Sequence, residues 1–424
     1  MSRRAQRTRW LGLALILACA SAAPAAEPPP GGSVESLLAY AQEHNPELAA
    51  MRHEAQAADE RIVPAGALPD PRLRTTLSDI TRMGEQSPTL APSRVGKTSY
   101  LWMQEVPWFG KRDLKREIAQ HDALGAKGRA QGSWAELSSR IKSAYAQLYF
   151  VRRSEQLLQE NLSLMAQLER LSLSRYAGGL AVQQDVIRAQ VEQGAMSSEQ
   201  IALQTEHHQL QARLNALLSR PTDDPLAEPE VLRPLPAATL LGWGTLRERV
   251  QAKNPQLFTQ DALVLSAEKG RDLVRKNRYP DFTFGVTPIQ SGNSFKEWEL
   301  MVELNIPLQQ ATRAAQEREA EAMLSAARER QQAAIDQVFA ELTQSLSALE
   351  AARRTDELTR TRLLPQAELT FKSALAAYET GKVDFSTLLD AQKQIRQVRL
   401  SQLKSAVDAQ MQLAEIERIL GEDL

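Results

Sequence analysis

Asn45-Pro46-Glu47-Leu48 returns as Asn254-Pro255-Gln256-Leu257, 209 residues later. Other pairs follow in the same order. Pro69-Asp70 returns as Pro280-Asp281 at an offset of 211, and Val106-Pro107 as Ile306-Pro307 at 200. Tyr176-x-x-Gly179 returns as Tyr378-x-x-Gly381 at 202, each followed by Ala-Gln (Ala189-Gln190, Ala391-Gln392). A duplication of this length makes each half the same structural unit. Function then lies in what two units build together.

Each half opens with a helix broken once. Val34 to Glu43 and Leu246 to Lys253 are helical in pattern. Asn45 and Asn254 then cap second helices, with Pro46 and Pro255 at a first position where a missing N–H costs nothing. These run to about Ile62 and Lys276. The period then changes to two. From Glu297 to Ile306, Trp298, Leu300, Val302, Leu304 and Ile306 take one face and Glu297, Glu299, Glu303 and Asn305 the other, with Met301 the exception. Asp281 to Thr287 precedes it, with Arg72 to Leu77 and Ser99 to Val106 in the first half. The loops between strands fall at Ser78 to Lys97 and at Ile289 to Lys296, the latter carrying Gly292-Asn293. The strands are about 7–11 residues, near the length of a tilted strand that crosses a bilayer.

A very long helical stretch follows each strand pair, from Phe109-Gly110 to about Ser174 and from Gln309 to Ala377. About 65 residues span roughly 100 Å. Ile335, Val338, Leu342, Leu346 and Leu349 make a packing seam, as do Leu137, Ile141, Ala144 and Leu148. Pro365 is expected to kink the second helix. Gly125, Gly128 and Gly132 are expected to permit close helix contact. Each long helix ends at its Tyr-x-x-Gly turn, and a return helix follows (Val182 to Leu218; Phe385 to Leu420). The sequence therefore divides into residues 1–25, a first repeat at 26–219, a Pro-rich connector at 220–240 and a second repeat at 241–424.

Charged residues are 24% of the chain and aromatics 5%, the composition of extended helices, and the net charge of −1 gives no field that calls for nucleic acid. Arg3, Arg4, Arg7 and Arg9, the apolar run Trp10 to Ala18 and the small-x-small site Ala23-Pro24-Ala25 read as a secretory signal peptide. No later apolar run has the roughly 18–20 residues of a membrane helix. Cys19 is the one cysteine. It is either lipidated, since Ile16-Leu17-Ala18-Cys19 partly resembles a lipoprotein box, or discarded with the signal. There is no disulfide framework and no thiolate metal site.

Four amphipathic strands cannot close a barrel, and open edges are forbidden in lipid. The barrel is therefore shared among chains. Three chains give twelve strands and an open lumen, with the helices forming a longer tube below. The predicted class is mainly α with a small membrane β part, in the outer membrane of a Gram-negative bacterium.

On the duplicated plan, the Asn-Pro pairs, Tyr176-x-x-Gly179 with Asp185, and Tyr378-x-x-Gly381 with Asp390 and Ala391-Gln392, the chain resembles the TolC family of outer-membrane efflux channels. The resemblance implies a homotrimer with a β-barrel in outer-membrane lipid and an α-barrel across the periplasm. It implies two partners, a periplasmic membrane-fusion adaptor and an inner-membrane pump. Gln104-Glu105-Val106-Pro107-Trp108-Phe109-Gly110-Lys111-Arg112 resembles the strand-to-helix junction of the heavy-metal branch, whose pumps are cation exporters of the resistance-nodulation-division (RND) class. Trp108 and Phe109 suit the membrane boundary, and Lys111 and Arg112 the water beyond it.

The resemblance places a gate and adaptor-docking surface at the two tips. Asp185 and Asp390 match acidic rings of the family's aperture, and Asp384 is a further acid. Three copies of each would repel one another and attract cations. As plain helix-start carboxylates they would be equally at home. Gly179 and Gly381 supply the turns; Tyr176 and Tyr378 are packing residues or tip contacts. Where the family often has an Arg two residues beyond the second tip glycine, Val383 stands here. His207 and His208 are neighbours on a helix and do not chelate together. His44, His53 and His121 are isolated. No metal site, cofactor site or catalytic constellation is read, so the chain is not expected to be an enzyme. Two other readings differ: a channel for drug or protein export, and a periplasmic coiled-coil adaptor or scaffold. The apolar face from Trp298 to Ile306 weighs against the second.

Overall fold

The computed structural model describes residues 30–424. The signal-peptide reading and Cys19 lie outside the described residues. Ser33 caps α1 (Val34–His44), its hydroxyl accepting from the Ser36 N–H. Asn45 then starts α2 (Pro46–Glu60), and the short α3 (Ile62–Gly66) follows. In the second repeat α6 (Trp243–Lys253) and α7 (Pro255–Lys276) repeat the device.

Each of the two asparagines does two jobs. Asn45 Oδ1 accepts from the Leu48 N–H at 3.0 Å, and Asn254 Oδ1 from the Leu257 N–H at 2.8 Å. Their amides point the other way, Asn45 Nδ2 to the Leu217 carbonyl at 3.0 Å and Asn254 Nδ2 to the Ile419 carbonyl at 2.7 Å. Each therefore ties the start of one helix to the end of its repeat's return helix, α5 (Gln183–Leu217) or α10 (Phe385–Leu420).

The long helix α4 (Lys111–Ala177) runs 67 residues, about 100 Å at 1.5 Å per residue. Its counterpart is α8 (Gln310–Leu358), then one π-helical turn (Thr359–Leu363), then α9 (Leu364–Glu379). The expected kink at Pro365 thus takes the form of this π turn. A wider turn accommodates a residue that cannot donate to the helix ladder, and the helix continues.

The four strands β1 (Arg72–Ser78), β2 (Lys97–Val106), β3 (Phe282–Ser291) and β4 (Ser294–Leu304) form one antiparallel sheet in chain order. The loop expected at 289–296 is instead a tight turn. Ser291 pairs with Ser294, and Gly292 at φ +66° makes the reversal. Both strands are longer for it, and a bulge at Ile289/Gln290 absorbs the register. Ile306 lies two residues beyond β4. Registers place Leu73, Trp102, Val286 and Leu300 on one face, beside Phe284 and Val302. Arg74, Leu101, Met103, Gly285, Met301 and Glu303 lie on the other. A Cβ on Gly285 would stand 2.9 Å from Leu101 and 3.0 Å from Met301. The exception at Met301 is thus packed over a glycine.

Among the helices α4 packs on α2, α5, α7 and α10, α7 packs on α8, and α10 packs on α8 and α9. Val34, Leu37 and Ala41 of α1 pack with Leu226 of the connector on Ile141, Tyr145 and Leu148 of α4. Leu246 and Val250 pack likewise on Val338, Leu342 and Leu349. Among the described residues no helix is long and apolar enough to cross a membrane.

Candidate gate at the paired helical tips

The two tips have the same backbone. Gly179 and Gly381 sit at φ +72° and +74°, a conformation any side chain would strain. Leu180 N–H donates to the Arg175 carbonyl at 2.8 Å, and Lys382 N–H to the Ala377 carbonyl at 2.8 Å.

The side chains differ. Tyr176 is exposed, whereas Tyr378 is 2% exposed. The Tyr378 hydroxyl meets the buried Ser172 hydroxyl at 3.1 Å, and its ring meets Phe385 edge-on. Arg175 lies over that ring at 4.9 Å, and its Nη1 donates to the Glu379 carbonyl at 2.6 Å. One guanidinium thus bridges the tips, a role absent from the sequence reading. The signal for it was available: at the same place in the second repeat stands Ala377.

The acids divide. Asp384 is the N-cap of α10, accepting from the Thr387 N–H at 2.9 Å and its hydroxyl at 2.6 Å. Those hydrogen bonds, the hydroxyl's first, hold its carboxyl down at about 2. Burial lifts the Asp185 carboxyl above its ordinary range; Arg188 opposes the rise and the Asp384 charge adds to it. The structure thus brings Asp185 and Asp384 within each other's field. Asp390 stands apart, exposed on α10. Behind the tips Glu192 pairs with Lys393 at 2.8 Å and Glu199 with Arg396 at 2.6 Å, joining α5 to α10. Gln392 donates to Asn161 at 2.7 Å in the buried layer between α10 and α4.

The sequence matches the family "Outer membrane efflux protein" over residues 37–220 and 246–422, one match per repeat. The chain belongs to the outer membrane efflux protein family. It is 23% identical over 415 residues to the cobalt-zinc-cadmium resistance protein CzcC of Cupriavidus metallidurans, covering 92% of this chain and 90% of that one. Solved outer-membrane channels share the fold. OprN superimposes with a TM-score of 0.79 at 17% identity, covering 92% of this chain and 89% of OprN. VceC of Vibrio cholerae gives 0.78 at 17%, covering 92% and 96%. CusC gives 0.75 at 17%, covering 92% of each chain. Family and fold are those of channels, mostly helical with a small four-stranded sheet.

In this outer membrane efflux protein Trp298, Leu300, Val302, Leu304 and Ile306 are all exposed, Leu300 at 83%. Lys111 departs from expectation. It is buried, its ammonium donating to Asp281 at 2.9 Å and to the Tyr279 carbonyl at 2.9 Å. Asp281 also accepts from the Trp108 N–H at 2.8 Å, and the Trp108 ring stacks with Tyr279 and with Phe282. The cation expected to face water instead satisfies the aspartate of the duplicated Pro-Asp pair. His207 has Glu155 at 3.3 Å from Nδ1 and Glu228 at 3.1 Å from Nε2. The carboxylates face opposite ring nitrogens, so they bridge α4, α5 and the connector and do not converge on one point. Among the described residues no three His, Cys, Asp or Glu side chains group as a metal site.

Proposed function

We propose that this chain is the outer-membrane duct of a tripartite efflux system, passively conducting heavy-metal cations outward from a periplasmic adaptor and an inner-membrane RND pump. The observation that carries the duct is the sheet apolar on one face and polar on the other, continued into helices about 100 Å long. A homotrimer closes the sheet into a twelve-stranded barrel in outer-membrane lipid, with Trp298, Leu300, Val302, Leu304 and Ile306 facing the acyl chains. The likeness to CzcC supports the cation assignment.

In this reading residues 1–25 are a signal peptide, with Cys19 lipidated or removed. Residues 26–219 and 241–424 are two equal units joined by the connector at 220–240. The periplasmic tips, with Tyr176, Gly179, Asp185, Tyr378, Gly381, Asp384 and Asp390, form the gate and adaptor contact. Arg175 latches the tips together.

A deletion strain tested on Cu, Ag, Zn, Cd, Co and Ni salts beside organic drugs is expected to lose tolerance of one or more metals. Unchanged metal tolerance with new drug sensitivity would overturn the cation assignment in favour of drug export. Retention in membranes after carbonate or high-salt washing is expected of a duct; release would make the protein a periplasmic scaffold.

A further inference from the structure

The strands carry the duplication to the single residue. β2 and β4 differ by 200, as Val106-Pro107 and Ile306-Pro307 do, and β1 and β3 by 211, as Pro69-Asp70 and Pro280-Asp281 do. Moving the β1–β2 register by these offsets turns Arg72 opposite Met103 into Thr283 opposite Glu303. It turns Leu77 opposite Thr98 into Pro288 opposite Trp298. Both are pairs of the β3–β4 ladder.

The same shift applied to β2–β3, the ladder that joins one repeat to the next, writes a ladder one chain cannot make. Met103 opposite Gly285 becomes Glu303 opposite Arg74, and Gln104 opposite Phe284 becomes Leu304 opposite Leu73. Glu105 opposite Thr283 becomes Asn305 opposite Arg72. β1 and β4 are the two edges of the sheet, so their outer backbone groups have no strand partner among the described residues, which lipid does not tolerate.

We infer that β4 of one copy pairs antiparallel with β1 of a second copy in this register, with Glu303 against Arg74 on the polar face. The inference rests on the shared-barrel reading above and adds its residue-level seam. Two observations outside the construction agree with it. In this register the apolar face stays apolar, with Leu304 on Leu73 and Leu300 on Leu77. A slip of one residue would turn Arg74 to the lipid. The charges also match. Arg72 and Arg74 lie on the polar side of β1, while Glu299 and Glu303 lie on that of β4. Among the described residues Lys97–Glu297 is the ion pair these strands make on that face. One edge is basic and the other acidic, so like edges repel and unlike edges join. The contact is head-to-tail and closes a ring, not a two-fold dimer.

Paired cysteine substitutions in full-length protein in membranes test the register. Thr76→Cys with Met301→Cys, directly opposite, is expected to give covalent oligomers under diamide. Thr76→Cys with Glu299→Cys or with Glu303→Cys, two residues off either way, should link several-fold more slowly. Single substitutions control for Cys19. Faster linking by either displaced pair overturns the register. So does an oligomer in native extracts with no linking by any pair, and that result leaves the shared barrel standing. Monomer alone in native extracts overturns both. Arg74→Glu should lower the yield of detergent-resistant oligomer several-fold, and adding Glu303→Arg should restore it. A double variant no better than the single one removes the ion pair from the inference.

Discussion

Arg175 couples two turns that are 204 residues apart in sequence. A charged hydrogen bond and a half-exposed cation–π contact together are worth on the order of 1–2 kcal/mol. That is about a 5–30-fold shift between two tip arrangements. Arg175→Ala is expected to raise single-channel conductance in planar bilayers; an unchanged conductance would reduce Arg175 to a fold support. Titration separates the acids. Asp185 has its carboxyl raised, so its protonated form favours the folded tip; that contribution is complete below the ordinary aspartate value and lost as pH rises through the raised one. Asp384, held at about 2, contributes above the ordinary value and loses its contribution only as pH falls through about 2. Acidification should therefore reduce cation selectivity first through Asp185, while Asp384 keeps its charge. Reversal potentials measured from neutral pH downward should show this step, and Asp185→Asn should abolish it. A step that persists in the variant belongs to another group.

At the scale of elements, the duplicated asparagines join helix ends, and the two functions can be separated. Asn254→Asp keeps the cap on Leu257 and loses the donor to Ile419, whereas Asn254→Ala loses both. The cap is worth about 1 kcal/mol and the buried carbonyl left unpaired about 1–3 kcal/mol. Thermal unfolding followed by circular dichroism should rank wild type above Asn254→Asp, and Asn254→Asp above Asn254→Ala. Two of the three glycines of α4 separate as well. A Cβ on Gly128 would lie 2.3 Å from Thr259 Oγ1 and 2.9 Å from the Phe258 ring, while one on Gly132 would meet Pro255 at an ordinary 3.7 Å. Gly128→Ala should cost about 1–3 kcal/mol by overpacking. Gly132→Ala should be neutral or stabilising by up to about 1 kcal/mol. The sequence grouped these glycines because spacing alone does not show which one a neighbouring helix touches. Helices, strands and caps were legible because their signals are local: a period, an Asn-Pro, a glycine at a turn. The Gly292-Asn293 turn is shorter than the loop expected at 289–296 because β4 already starts at Ser294, and Phe295 alone between Ser294 and Lys296 is too short an apolar signal to mark a strand start.

At the scale of the whole molecule, a buried anion is one of the ties between the repeats and the connector. Glu417 of α10 is 2% exposed at its side chain and lies 2.7 Å from Lys142 Nζ of α4 and 3.0 Å from Arg233 of the connector. Lys142 is itself buried and also pairs with Asp423. No sequence pattern announced this cluster, because its members come from both repeats and the segment between them, and each alone reads as a helix-surface charge. The same reason hid Lys111 with Asp281 and Arg175 with Tyr378: a long-range partner leaves no local mark, except where the repeats depart from each other. Arg175 against Ala377 is such a departure, so comparing the repeats recovers part of what periodicity cannot. Glu417→Gln tests the tie. It leaves the buried Lys142 with only the exposed Asp423 and leaves Arg233 without its carboxylate, and breaking a buried pair from one side costs about 3–5 kcal/mol. Glu422→Gln is the control, since its partners Arg249 and Lys253 are more exposed and the loss there is about 1 kcal/mol or less. The expected result is a lower unfolding midpoint in guanidinium for Glu417→Gln. Limited proteolysis should also cut at residues 220–236, where Arg233 no longer holds the connector to α10. A midpoint that falls without new cleavage would place the cost in the α4–α10 contact alone and detach the connector from the tie.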